Sequence, residues 1–387
     1  MRALLVEDGQ SRGALAAARA LRKAGWDVGV AAPESQGLAS WSRTVKWRHR
    51  AAAVSTSPDR FIADVARAVS EGSYDIVFPC GDAEVFALSA GRSQIDSVVP
   101  YAGHDVVMHS FDKLELADAA SECGLAVPWT AVATDEALAG SHLPAIVKAR
   151  LHSPPGGNSA RLEVGVAHDA EEARRLIVSI RAAGGEPLIQ EMVEGELCAL
   201  TLLLDQEGVV LGEVQQTAHG TWPRGAGASV RAITEPVSEP TRAAAVKLLT
   251  SIGWFGLAEL QFIRPPSGEP RLIDLNGRFY GSLALAVRAG VNLPALWAGA
   301  AMERGSSRQS EGNGGAAFSS ARPGVRYQWL EGDLRRSLQS GAPVGQIMSC
   351  IRYSFGAAHS IWSTRDPWPG LRHAARLGLS AARRDRS

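Results

Sequence analysis

Two segments decide the fold: Gly256-Leu257-Ala258-Glu259-Leu260-Gln261-Phe262-Ile263 and, after a Pro/Gly turn, Leu272-Ile273-Asp274-Leu275-Asn276-Gly277-Arg278. Their alternation predicts two antiparallel strands, in which Glu259 and Gln261 share a face, as do Asp274 and Asn276. Carboxylate and amide oxygens in this arrangement suit a hard cation such as Mg²⁺. Arg278 lies one alternation further on, where its guanidinium can bind a phosphoryl group. The plainer alternative is a solvated polar sheet face with ordinary cross-strand pairs.

Upstream, two lysines and an acidic segment are the next candidates. Lys113 begins a predicted helix, and Lys148 ends an apolar strand just before a Pro/Gly-rich loop, 152–159, that could close over phosphates. The segment from Glu191 to Glu196 follows another apolar strand, so its main chain could bind an adenine edge and Glu196 ribose hydroxyls. The alternatives are a solvent-exposed lysine at a strand end and a tight turn between strands.

The first hundred residues alternate strand and helix patterns, which predicts right-handed βαβ units and a parallel sheet. The first turn, residues 7–13, does not have the G-x-G-x-x-G pattern that binds dinucleotides. This part of the chain is therefore interpreted as a scaffold and a wall for the substrate.

Composition excludes several classes of protein. The 387 residues carry 40 Lys+Arg against 40 Asp+Glu, and 45% are hydrophobic. This balance argues against a disordered chain and against binding to nucleic acid through bulk positive charge. No apolar run reaches 18 residues, Glu7 and Asp8 interrupt the N-terminal one, and the four cysteines are far apart. The expectation is a cytoplasmic enzyme without a membrane or nucleic-acid partner.

In their order along the chain these pieces resemble the ATP-grasp superfamily, in particular its carboxylate–amine ligase-like branch. They are similar to the ATP-binding half of carbamoyl-phosphate synthase and to biotin carboxylase. The resemblance runs from Ala3 to about Leu296. It is sharpest in Arg278-Phe279-Tyr280-Gly281-Ser282 and Ala289-Gly290-Val291-Asn292-Leu293-Pro294, with a further motif at Tyr327–Leu334.

The resemblance implies an α/β and α+β fold: an N-terminal parallel-sheet domain, a two-subdomain ATP-grasp fold and a C-terminal extension. The expected divisions are 1–108 for the first domain, 109–304 for the ATP-grasp domain (109–188 as the small subdomain and 189–304 as the metal-binding one), and 305–387 for linker and extension.

It also implies a role for each candidate residue. Lys113 and Lys148 would contact ATP phosphates, Glu191 with the main chain of Met192 and Val193 would bind adenine, and Glu196 the ribose. Gln261, Asp274 and Asn276 would hold Mg²⁺, with Mn²⁺ as an alternative. Arg278 would stabilise the transferred phosphoryl group, helped by Lys148 and by Arg231. The glycine-containing stretch 216–229 is predicted to be a mobile loop, with 220–227 as a lid and Trp222 as a substrate contact.

Three positions depart from the pattern of the family. Gln261 and Asp274 stand where Glu is usual, and Gly277 stands where Pro is usual. The metal site therefore loses one negative charge unless Glu259 compensates.

The implied function is an ATP-dependent ligase that activates a small-molecule carboxylate as an acyl phosphate and couples it to an amine. Two alternatives stay open: a bicarbonate-activating enzyme of the carboxylase type, and a nucleotide-binding module with weakened catalysis. Because relatives in this superfamily are often dimers, a homodimer also stays open.

Overall fold

The computed structural model describes residues 1–35, 37–152, 164–225, 227–305, 318–339 and 343–384. Most of the predicted glycine loop, 152–159, and of the predicted linker, 305–320, lies outside the described residues. Three sheets organise the described chain, in the order expected for the fold class, which is confirmed.

The N-terminal sheet is parallel, with strand order β3-β2-β1-β4. Its short apolar strands alternate with helices whose apolar faces pack on the sheet. Ser11 caps the first of these helices by accepting a hydrogen bond from the Ala14 N–H. The elements are β1 (Arg2–Val6), α1 (Arg12–Lys23), β2 (Asp27–Ala32), β3 (Val45–Arg50), α2 (Pro58–Gly72), β4 (Ile76–Pro79), α3 (Asp82–Ala90) and α4 (His104–Phe111).

A small four-stranded sheet follows, with order β5-β8-β6-β7 and antiparallel neighbours. Helix α7 buries Ala173, Ile177 and Ile180 against it, and these residues form a small core with the strands. The elements are α5 (Lys113–Glu122), β5 (Thr130–Val132), α6 (Asp135–Gly140), β6 (Ala145–Ala149), β7 (Gly165–Ala167), α7 (Ala170–Ala182) and β8 (Pro187–Glu191).

The large sheet has the order β13-β12-β9-β10-β11-β15-β16, with β14 beside β10. Its strands and flanking helices are β9 (Glu196–Leu204), β10 (Val210–Trp222), β11 (Ala228–Glu235), α8 (Glu239–Ser251), β12 (Gly256–Arg264), β13 (Arg271–Asn276), α9 (Leu283–Ala289) and α10 (Leu293–Gly305).

The C-terminal segment continues this same sheet. Strand β15 pairs with β11, and Tyr327 and Gln328 are fully buried there. Its elements are β14 (Ser319–Ser320), β15 (Arg326–Gln328), α11 (Leu330–Leu338), α12 (Pro343–Ser354), β16 (Ala358–His359) and α13 (Trp368–Arg384). The expected division at 305 therefore separates chain segments, while the hydrogen-bonded sheet extends across it.

An aromatic cluster joins the N-terminal sheet to the large sheet. The ring centroids of Phe78 and Trp297 are 4.9 Å apart, those of Phe78 and Phe279 are 5.2 Å apart, and those of Tyr101 and Trp297 are 5.0 Å apart. Such contacts favour a fixed relation between strand β4 and the segment after β13.

No single described helix is long and apolar enough to cross a bilayer. One pair, Leu283–Ala289 with Leu293–Glu303, passes the combined length and composition test but is bent by 88°.

Candidate active site

The β12–β13 hairpin has the register that the alternation predicts. Glu259 lies opposite Asn276, and Gln261 lies opposite Asp274. Asn276 donates a hydrogen bond from Nδ2 to Glu259 Oε2 at 3.0 Å, and Gln261 donates one from Nε2 to the same oxygen at 3.2 Å. Glu259, Gln261 and Asn276 are therefore linked by hydrogen bonds, and Asp274 lies on the same face of the hairpin opposite Gln261.

Both candidate lysines reach strand β13, although they come from different elements. Lys113, the first residue of α5, brings Nζ to 3.8 Å from Asp274 Oδ1. Lys148, on β6 of the small sheet, donates from Nζ to the Ile273 carbonyl at 3.1 Å. Both side chains are buried, so two cations and a carboxylate meet between the small and large sheets.

The charges of this group shift one another. Burial lowers the pKa of Lys148 to about 7, and the positive charge of Lys113 contributes to the shift. Burial alone would raise the pKa of Asp274, but Lys113, His152 and Lys148 outweigh it and hold that pKa below its ordinary value. Asp274 is therefore ionised, in a setting with an excess of positive charge.

Arg278 reaches back to the N-terminal sheet. Its Nε donates to Asp82 Oδ1 at 2.9 Å and its Nη2 to Oδ2 at 3.4 Å, a bidentate pair that is mostly buried. His152 lies beside both carboxylates, with Nδ1 at 3.2 Å from Asp82 and Nε2 at 3.6 Å from Asp274. Burial opposes the charge of Asp82, but Arg278 and His152 outweigh it and lower the pKa of that carboxyl.

Asp82 and His152 are the members of this group that the sequence analysis did not identify as site residues. Asp82 begins α3, three residues after the end of β4. Ligands of open parallel sheets bind at the carboxyl ends of the strands, and this position is the signal that could have identified it. His152 has no comparable signal, because only the folding of the small sheet brings it to the hairpin.

The same strand ends carry two further acids, Glu7 after β1 and Glu84 in α3. Burial raises the pKa of each to about 8, with Asp8 adding to both shifts. The wall that faces Arg278 is thus acidic in composition but weakly ionised at neutral pH.

The acidic segment after β8 connects the small sheet to the large one. Glu191 accepts a hydrogen bond from Arg271 Nη1 at 2.7 Å, and Glu196 accepts one from Arg264 Nη2 at 3.1 Å. Among the described residues, the main-chain groups of Met192 and Val193 make no hydrogen bond. They are therefore available to a planar ligand edge, whereas both acids already have arginine partners.

Residues 110–282 match the family described as the ATP-grasp domain. The chain carries an ATP-grasp domain. The match includes Lys113, Lys148, the segment after β8 and the whole β12–β13 hairpin, so the predicted family is confirmed. A search of curated proteins found no match.

Solved structures share the fold of this ATP-grasp protein. The biotin carboxylase domain of 2-oxoglutarate carboxylase from Hydrogenobacter thermophilus, in complex with MgADP, ADP and bicarbonate, has a TM-score of 0.62 and 17% identity, covering 84% of this chain and 73% of its own. L-amino acid ligase from Bacillus licheniformis has a TM-score of 0.60 and 14% identity, covering 78% and 74%. Phosphoribosylglycinamide synthetase from Anaerococcus prevotii has a TM-score of 0.53 and 16% identity, covering 78% and 75%. At these identities the likeness concerns the fold.

The unusual glycine of this ATP-grasp hairpin has a packing reason. A Cβ added to Gly277 would lie 2.3 Å from the ring of Trp254 and 3.1 Å from Phe111. Trp254 is buried between the hairpin and α4, with its ring centroid 5.8 Å from that of Phe111, so a shift of the ring would disturb this packing. The indole fills the space that a proline side chain would need, which explains the departure from the family pattern.

Arg231 lies apart from the lysine and hairpin group. It is on β11, where Nε donates to Asp333 Oδ2 at 2.7 Å and its guanidinium lies 4.8 Å from the centroid of the Tyr353 ring. Its polar contacts are with the C-terminal segment, and the structure describes none with Asp274 or Arg278. Its predicted catalytic role stays a prediction.

The predicted mobile loop, 216–229, is wrong as secondary structure. Strand β10 occupies its first part, to Trp222, and β11 begins at Ala228; the two strands pair as a long hairpin, with register shifts between Ala218 and Thr221. Glycines suggested a loop, but Gly220 occupies the irregularity in β10 and Gly225, with a φ of 88°, occupies the turn. Trp222 ends β10 near the tip of this hairpin, and its contact with a substrate stays a prediction.

Proposed function

We propose that this ATP-grasp protein is an ATP-dependent carbon–nitrogen ligase that activates a small-molecule carboxylate as an acyl phosphate and couples it to an amine. One observation carries the proposal: Lys113 and Lys148 are buried together beside Asp274, and Lys113 Nζ has no hydrogen-bond partner among the described residues. A buried ammonium group without an acceptor is costly. A triphosphate between the two sheets would supply the missing acceptors.

In this proposal the nucleotide follows the hairpin from its turn towards Arg278. Adenine binds at Glu191 and the free main-chain groups of Met192 and Val193, the ribose at Glu196, and the phosphates at Lys113 and Lys148. Glu196 is exposed in its pair with Arg264, and exposed pairs contribute little free energy. Exchanging that arginine for ribose hydroxyls therefore costs little.

The residues of the hairpin fit a hard divalent cation. Asp274 offers a carboxylate, and Gln261 and Asn276 offer amide oxygens, which are ligands that Mg²⁺ and Mn²⁺ accept. No group of three or more His, Cys, Asp or Glu suited to a metal occurs in the described ranges, so phosphate oxygens would have to complete the site. When bound, the ion neutralises the charge that develops on the phosphates.

The chemistry then requires positioning and charge more than a protein nucleophile. A carboxylate oxygen of the substrate attacks the γ-phosphorus in line, the bond from phosphorus to the bridging oxygen breaks, and ADP leaves. Arg278, oriented by Asp82, stabilises the transferred phosphoryl group with the two lysines. The amine nitrogen then attacks the acyl carbon, the carbon–oxygen bond to phosphate breaks with its electron pair on phosphate, and the nitrogen loses a proton to water.

The experiment is a coupled measurement of ADP release over pairs of carboxylic and amino acids, with the mass of each product recorded. A parallel series replaces the amine with hydroxylamine, which captures an acyl phosphate as a hydroxamate. We expect ADP release to require a carboxylate, and hydroxamate to form from that carboxylate alone.

Two results would contradict the ligase. ADP release with bicarbonate but with no other carboxylate would favour the carboxylase-type alternative. ATP binding without ADP release across the whole panel would favour the nucleotide-binding module.

A further inference from the structure

Three side-chain amides converge on one buried carboxylate, that of Glu259. Besides Asn276 and Gln261, which donate to Oε2, Gln216 on β10 donates from Nε2 to Oε1 at 3.4 Å. Glu259 is only 3% exposed and Asn276 and Gln216 are 5% exposed each. The carboxylate is thus enclosed by donors from three strands, and no cation contacts it directly among the described residues.

This arrangement fixes the direction of the amides. An amide group that turns its nitrogen towards a carboxylate must turn its oxygen away. The oxygens of Gln261 and Asn276 accept no hydrogen bond from any described residue. Because Asp274 lies on the same face of the hairpin, directly opposite Gln261, all three candidate metal ligands present oxygen on that face.

Burial raises the pKa of Glu259 to about 7, and above that pH its carboxylate also supplies charge behind neutral ligands. Gln261 stands where a glutamate would add a negative charge to the metal site. Glu259 lies two residues away on the same face and contacts that glutamine through its amide. A negative charge that accepts a hydrogen bond from an amide polarises that amide, so that its oxygen binds a metal ion more strongly. Hydrogen-bond partners of metal ligands tune metal affinity in this way.

We propose that Glu259 is a positioning residue, which holds the oxygens of Gln261 and Asn276 towards the metal ion of a bound metal–nucleotide complex and replaces, from behind, the charge that Gln261 lacks. This inference rests on the proposed function for the presence of that complex. It adds a residue that does not itself ligate the ion but decides whether two neutral side chains can.

The test measures Mn²⁺ binding to the full-length protein by electron paramagnetic resonance, with a non-hydrolysable ATP analogue present and at a pH above 7, where Glu259 is ionised. In Glu259→Gln the side-chain oxygen can still accept from both amides, with the new nitrogen towards Gln216, but the negative charge behind the two ligands is lost. We expect Mn²⁺ affinity to fall about 10–100-fold, while affinity for the analogue without metal, in EDTA, is unchanged. Glu213→Gln is the matched control: it changes a buried glutamate of β10 that lies near Arg242, outside the hairpin group.

A charge-swap variant separates positioning from mere packing. Gln261→Glu combined with Glu259→Gln moves the carboxylate from behind the ligands into the ligand set, so we expect it to recover Mn²⁺ affinity. Lost affinity in both the single and the double variant, with wild-type melting temperatures, would overturn the proposal. So would wild-type affinity in Glu259→Gln.

If Glu259→Gln does not fold, Glu259→Asp takes its place, because aspartate keeps the charge but is one methylene too short to hold both amides. Undiminished Mn²⁺ affinity in that variant would overturn the inference. Failure of the proposed function is distinguishable from these results, since the wild-type protein itself would then bind no metal–nucleotide complex.

Discussion

At the scale of single residues, the buried lysines of the proposed phosphate site lower the stability of the protein when no anion is bound. Lys148 is buried, its pKa is lowered chiefly by that burial, and within the described ranges its one side-chain hydrogen bond goes to the Ile273 carbonyl. A buried charge of this kind favours the binding of an anionic ligand and destabilises the free protein. Stability and nucleotide binding should therefore respond in opposite directions when it is removed.

We expect Lys148→Met to stabilise the free protein by about 1–3 kcal/mol, because an apolar side chain replaces a desolvated charge. The same variant should lose most ATP affinity and ADP release, since a phosphate contact disappears. Urea unfolding with and without ATP checks both effects. Lys247→Met, at an exposed site on α8, is the control and should change neither; a loss of stability in Lys148→Met would contradict this account.

The residues that were predictable from sequence are those whose relation is local. Strand alternation is enough to bring Gln261, Asp274 and Asn276 to one face, and the register confirms it. Asp82 and His152 come from other parts of the chain and meet Arg278 and Asp274 only after three sheets have assembled. The family resemblance groups Arg231 with the phosphoryl site, whereas its described contacts follow from pairing between β11 and β15, which no local pattern reveals.

At the scale of elements, the β12–β13 hairpin is held in place by what fills the space at Gly277. The Trp254 ring occupies the position of the missing side chain, and its neighbours are Phe111 and Tyr101. Asn276 and Arg278 flank the glycine, so a shift of the backbone there would displace a candidate metal ligand and the candidate phosphoryl contact together. Packing at Gly277 and the positions of the candidate metal ligand and phosphoryl contact are thereby coupled.

We expect Gly277→Ala to destabilise the protein by about 1–3 kcal/mol through overpacking, and to reduce ADP release as the flanking side chains move. In Gly277→Ala, Trp254→Leu should cost less stability and less ADP release than it does in the wild-type protein, because it removes the ring atoms that the new methyl group meets. Gly103→Ala, where an added Cβ has no neighbour within 4 Å, is the control. Additive effects of the two substitutions in a double-mutant cycle would show that Trp254 is not the reason for the glycine.

At the scale of the whole molecule, the C-terminal segment ties the first sheet to the last one. Asp366 is 3% exposed and accepts hydrogen bonds from Arg19 Nε at 2.8 Å, Ser42 Oγ at 2.6 Å and the Arg43 N–H at 3.0 Å. At its other end the segment adds β15 to the large sheet and pairs Asp333 with Arg231. The C-terminal segment thus contacts both the N-terminal sheet and the large sheet and links the two.

Removing the carboxylate of Asp366 should weaken the contact between the C-terminal segment and the N-terminal sheet. We expect Asp366→Asn to lower the free energy of unfolding by about 3 kcal/mol, because it leaves the partly buried Arg19 without its counter-charge.

Burial would raise the pKa of Asp366, but Ser42, Arg43 and Arg19 outweigh it and hold that pKa below its ordinary value. The carboxylate therefore contributes its stability above the unfolded-state pKa and loses it as the pH falls through the folded-state pKa. Urea unfolding of the wild-type protein and of Asp366→Asn at pH 7 and at pH 3 checks this sign: the difference in stability between them should shrink at the lower pH.

The control is Asp27→Asn, in the exposed pairs with Arg22 and Lys46, which should change stability by only about 0–1 kcal/mol. An equal loss in both variants at pH 7 would mean that Asp366 is ordinary surface charge and that the C-terminal segment is held by its strands alone.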